Sequence, residues 1–92
     1  MFVAIAIHYA TPEHTDDMLA YMHRVLDQTA GAPGLIEFKA CRETSRTALA
    51  GYSRWNSRAD FQAALPTIAS LAPERNPEWC DRPDEVIMLE VP

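Results

Sequence analysis

The sequence predicts an α+β domain with elements in the order β-α-β-β-α-β, and three observations carry that prediction. Four short apolar stretches, each of strand length, are spread over the 92 residues. Two longer stretches with apolar residues at helical spacing follow the first and third of them. Polar or Pro-Gly turn signals separate the elements. This is the split βαβ, or ferredoxin-like, arrangement: a four-stranded antiparallel sheet with both helices on one face.

The first strand is Phe2 to Tyr9. Strand alternation puts Val3, Ile5, Ile7 and Tyr9 on one face and Phe2, Ala4, Ala6 and His8 on the other. Both faces are apolar, so both need cover. Thr11-Pro12 opens the first helix, with Thr as N-cap, Pro at the first position and Glu13, Asp16 and Asp17 at the positive dipole end. Met18, Met22, Val25 and Thr29 form its apolar stripe, and Gly31 stops it before the Pro33-Gly34 turn.

Leu35 to Arg42 is the second strand, with Ile36, Phe38 and Ala40 alternating against Glu37, Lys39 and Cys41. Glu43 to Arg46 turns the chain into a third strand, Thr47 to Trp55, which Gly51 weakens. Ser57-x-x-Asp60 resembles a capping box, and Phe61, Ala64, Leu65, Ile68 and Leu71 face the core from the second helix. Pro66 is expected to kink or split that helix. Residues 72–84, with Pro73, Pro77 and Pro83, are expected to form an irregular excursion before the closing strand Val86 to Val91.

Composition limits the functions available. The chain makes one domain, residues 1–92, and a domain this size buries only about 60–65% of its unfolded surface. The bare sheet face is therefore expected to be covered by a second copy of the chain, giving a homodimer. Thirteen acids against eight bases give a net charge of −5, and the bases are scattered. Nucleic acid is thus not the expected partner, because binding it requires a basic patch. No stretch approaches the roughly 20 apolar residues of a membrane span. Cys41 and Cys80 lie too far apart in sequence for a CxxC site, and the N-terminus has no signal-peptide pattern. Free thiols in the cytoplasm are the expectation.

The element order, Pro33-Gly34-Leu35 before the second strand, and Arg54-Trp55-Asn56-Ser57-Arg58-Ala59-Asp60-Phe61 at the junction of third strand and second helix resemble the antibiotic biosynthesis monooxygenase superfamily. The resemblance extends over nearly the whole chain. It implies a dimeric α/β barrel and a functionally mixed family: cofactor-free oxygenases of aromatic polyketides, haem-degrading enzymes, isomerases and members without known activity. The sequence also departs from those relatives. Ala64 stands where many members carry a His, the first strand has no Asn, and Phe61 to Leu71 holds neither Trp nor His. Haem binding is therefore not expected, and no cofactor or metal is assigned.

His14 and His23 are nine residues apart on the first helix, about 900° of rotation, so they cannot share a metal. His8 is the sharper candidate. It ends the first strand beside small alanines, where a histidine can act as a general base or simply close the strand with a hydrogen bond. Tyr52, Arg54 and Asn56 share one face of the third strand, either lining a pocket or lying against a dimer partner. Trp55 either packs the core or walls a site, and Trp79 in the proline-rich excursion covers something apolar. The enzyme reading takes His8, Tyr52 and Asn56 as catalytic and Arg54, Trp55 and Trp79 as substrate-binding. The substrate would be a small phenolic or polyketide-like aromatic oxidised without a cofactor. The alternative is a barrel that binds or isomerises a small hydrophobic molecule. Ala4, Ala6 and Gly51 suggest a cavity between sheet and helices near His8, with residues 72–84 at its mouth.

Overall fold

The computed structural model describes residues 1–92. Its elements are β1 (Phe2–His8), α1 (Thr15–Thr29), β2 (Leu35–Arg42), β3 (Leu49–Trp55), α2 (Arg58–Ser70) and β4 (Glu85–Glu90). The four strands form one antiparallel sheet in the order β2-β3-β1-β4. This is the ferredoxin-like order expected from the sequence.

Local chemistry explains most element boundaries. The Thr11-Pro12 start produces a 3-10 turn over Pro12–His14 before α1 begins. Thr11 does not cap with its side chain; the hydroxyl donates to the Trp79 carbonyl at 3.4 Å instead. Met18, Met22, Val25 and Thr29 are the buried positions of α1, so the predicted stripe is the observed one. Gly34 turns the chain at φ 80°, and a Cβ there would lie 2.2 Å from Asp60 Oδ2, which reserves the position for glycine. Asp60 in turn belongs to the start of α2, where the Ser57 hydroxyl accepts from the Asp60 N–H at 3.2 Å.

Two expectations are corrected. α2 runs unbroken through Pro66, which is exposed on the outer side of the helix. In β2, a bulge between Leu35 and Glu37 changes the register, since Leu35 pairs with Trp55 and Glu37 with Arg54. The extra residue puts Leu35 against the core and leaves Ile36 46% exposed. Strand alternation alone had placed Ile36 inside.

The core has two centres. Phe2, Ala4, Trp55, Phe61 and Ala64 pack at the end of the sheet where β1 begins. Ala10, Met18, Met22 and Leu49 pack at the end where β1 finishes. The 72–84 excursion contains two short 3-10 turns, Ala72–Glu74 and Pro77–Trp79. It is stitched to the chain just beyond β1 by an Ala10–Cys80 bridge, with Thr11 N donating to Trp79 O at 2.9 Å and Asp81 N to Tyr9 O at 3.2 Å. These bonds carry the loop past the end of β1, next to His8.

Candidate functional site

Small residues leave a cavity between the two core centres. It measures about 330 Å³, and thirteen of its eighteen lining residues are hydrophobic, as in a site for a small apolar ligand. Its floor is the helix-facing side of the sheet: Ala4, Ala6 and His8 of β1, Gly51 and Ser53 of β3, and Phe38 of β2. The register sets Ala4 opposite Ser53 and Ala6 opposite Gly51, so a strip of small side chains crosses the middle of the sheet. Tyr21, Met22, Val25 and Leu26 of α1 form one wall, and Phe61, Leu65 and Ile68 of α2 form the other. A groove of about 280 Å³ between the end of α1 and α2 is polar and contains Asp60 as its one ionisable residue.

His8 brings the chemistry to the cavity. Its side chain is 12% exposed, and Nδ1 lies 3.0 Å from Asp84 Oδ1. Nδ1 is buried and makes no well-aligned hydrogen bond, so the approach to Asp84 is chiefly electrostatic. Arg75 clasps the same carboxylate with both guanidinium arms, Nη1 to Oδ2 at 2.6 Å and Nη2 to Oδ1 at 2.7 Å. The same Nη2 reaches Cys80 Sγ at 3.3 Å. Burial pushes the Asp84 carboxyl up, but the bonds from Arg75 and the close approach of His8 override it and hold the group well below the usual carboxylate range. The Asp84 bond likewise raises Arg75 above its ordinary value against the effect of burial. Tyr21 supplies a phenol to the cavity wall, and burial raises its pKa, so it is a neutral donor near neutral pH.

The other residues singled out in the sequence lie elsewhere. Tyr52 and Arg54 pair with Ile5 and Val3 on the sheet face away from the helices, and neither lines the cavity. Arg54 is neutralised there by Glu37 at 3.2 Å, which also pairs with Lys39 at 2.8 Å. Asn56 lies at the opposite end of β3 from His8, about 20 Å away at strand spacing, beside Ser57 and Glu90. Trp55 is completely buried among Phe2 and Phe61, edge-on to Phe61 at 5.8 Å. Trp79 covers the Ala10–Met18–Met22–Leu49 cluster rather than the cavity. His8 is thus the one proposed catalytic residue on the cavity. His14 pairs with Asp17 at 2.9 Å and His23 is exposed. Cys41 and Cys80 are free thiols. No group of three or more His, Cys, Asp or Glu side chains converges to hold a metal ion.

Sequence reasoning missed Arg75, Asp84 and the polar role of Tyr21. The signal for Asp84 lay in the register. β1 pairs with β4 so that Ile7 faces Glu85, and one further step sets Asp84 opposite His8.

The family model for antibiotic biosynthesis monooxygenase matches residues 1–70. The chain belongs to the antibiotic biosynthesis monooxygenase family. No curated protein matches the sequence itself. Solved structures resemble this family member throughout. An antibiotic biosynthesis monooxygenase superimposes with a TM-score of 0.80 at 18% identity, over 99% of this chain and 98% of its own. Rv0793 of Mycobacterium tuberculosis gives 0.82 at 17% identity, over 98% and 93%. The haem-degrading MhuD of Mycobacterium tuberculosis, solved with two haems in its active site, gives 0.78 at 19% identity, over 99% and 95%. At such identities these likenesses establish the fold.

Proposed function

We propose that this family member oxidises a small phenolic or polyketide-like aromatic with dioxygen and no cofactor, using His8 as general base. The observation that carries the proposal is one imidazole standing at the edge of an apolar cavity of about 330 Å³. An enolisable aromatic ketone bound there would lose a methylene proton to His8. The resulting aryloxide would be stabilised by the hydroxyl of Tyr21, a half-buried lining residue whose raised pKa keeps it a neutral donor. The anion passes one electron to dioxygen, the radical pair recombines into a carbon-bound peroxide anion, and His8 returns its proton to give the hydroperoxide. His8 then takes the second methylene proton as the O–O bond breaks, and the departing hydroxide leaves with that proton as water. The balance is CH2 plus O2 giving C=O plus H2O. The hydrophobic lining supports this reading by favouring the aromatic body and keeping water from the anion.

The test is oxygen uptake by the pure protein with a panel of phenols and anthrone-type ketones, alongside thermal-shift binding of the same compounds. Oxygen uptake with formation of an equal amount of carbonyl product is expected, and His8→Ala should abolish it while the melting temperature changes little. Ligand binding without oxygen uptake would replace the oxygenase with a binding or isomerising barrel. A loss of about 2 kcal/mol or more in His8→Ala would place His8 in the structural hydrogen-bond network instead.

A further inference from the structure

Asp84 and Arg75 have no part in the reaction outlined above, yet both line the cavity beside His8. We propose that Asp84, clamped by Arg75, is a positioning residue that holds His8 as its Nδ1–H tautomer and leaves the Nε2 lone pair for the substrate's proton. This rests on the reading of His8 as the base.

Three observations and one rule of chemistry support it. Asp84 Oδ1 is 3.0 Å from His8 Nδ1. An ionised carboxylate can only accept, so it attracts a proton on that nitrogen and repels a lone pair. Nδ1 is sealed from solvent, so no water competes for its proton. Both carboxylate oxygens are occupied by the Arg75 fork, at 2.6 and 2.7 Å, which keeps Asp84 anionic and fixes its plane.

The arrangement also explains the shape of the 72–84 loop. Arg75 and Asp84 are nine residues apart, and their ion pair closes the loop around Cys80, whose sulfur braces the guanidinium at 3.3 Å. Backbone bonds at Thr11 and Asp81 tie that closed loop to the end of β1. The carboxylate is thereby held from two sides, by the β4 register and by the clasp. A basic nitrogen whose partner group is fixed in this way needs little reorganisation when it takes a proton.

The experiment reads the tautomer directly. Protein labelled with nitrogen-15 in its histidine rings is examined by NMR at a pH where the rings are neutral, with His14→Gln and His23→Gln used for assignment. The wild type should show a protonated Nδ1 and a bare Nε2 at His8; a dominant Nε2–H form would overturn the proposal without any variant at the site. In Asp84→Asn the amide can donate to Nδ1, so the population should move toward Nε2–H. Turnover should then fall about tenfold to a hundredfold in kcat while KM changes little. A tautomer unaltered in Asp84→Asn would also refute the positioning role. If the tautomer behaves as expected but neither protein consumes any phenolic compound, the positioning role stands and the oxygenase reading falls.

Discussion

Gly51 shows how single residues create the cavity. It faces Ala6 across the register and lines the space beneath the helices. A Cβ at this position would meet only Phe38 Cε1, at an ordinary 3.6 Å, so packing does not demand a glycine. A glycine inside a strand costs roughly 0.5–1 kcal/mol of stability. Gly51→Val should therefore leave the melting temperature equal or higher, since a branched residue suits the strand, while its methyls occupy the cavity. Calorimetry with a bound ligand is the check: affinity should fall sharply in a protein as stable as the parent. Unchanged affinity would move the ligand site away from this cavity. His8 and the small strip were legible in the sequence because strand alternation puts Ala4, Ala6 and His8 on one face. Asp84 and Arg75 were not, because their meeting with His8 depends on the β1–β4 register and on a loop without periodicity. Alternation put Tyr52 and Arg54 on one face of β3, with Asn56 beyond the end of the strand, but alternation does not say which face looks toward the helices. The Trp55 side of β3 does, and the Tyr52 side looks away.

At the scale of elements, α2 contains the clearest conflict between local preference and tertiary structure. Pro66 stands at the ninth position of a helix that continues to Ser70. It offers no N–H to the carbonyl one turn earlier, and its ring crowds that carbonyl. The helix persists because Phe61 and Ala64 are buried on its inner side and Leu71 is buried just beyond its end, while Pro66 points outward. Pro66→Ala should restore the missing bond and stabilise the protein by about 1–2 kcal/mol, the helical gain being partly offset by a more flexible unfolded chain. Denaturant unfolding measures this, and a loss of stability would mean that the proline ring itself makes packing contacts. The helix is not split at Pro66 because propensity is a local quantity and burial of a whole face outweighs it. The bulge at Ile36 escaped sequence reading for a related reason: one extra residue reverses the inward set, and nothing in Leu35-Ile36-Glu37 marks where it enters.

At the scale of the molecule, the sheet face away from the helices remains to be covered. Val3, Ile5 and Ile7 run along its centre, with Leu89 and Ile87 beside the first two on β4. Ile87 is 39% exposed and Leu89 49%, and neither helix lies on this side. Glu37, Lys39 and Arg54 form a charged rim on the β2 side, already paired with one another. An apolar centre inside a polar rim is the composition of a protein interface, and a two-fold axis lets one such face cover another copy of itself. A homodimer formed through this face is thus expected. Each residue of a two-fold interface occurs twice, so Ile87→Asp places two carboxylates in the apolar centre and should give a monomer. Sedimentation at micromolar concentration should show twice the chain mass for the wild type and a single mass for the variant. The wild type should also melt higher as its concentration rises, because association draws on the folded state alone. A folded wild-type monomer with a concentration-independent melting point would refute the dimer. The apolar sheet face would then be a surface that this small domain leaves in contact with water.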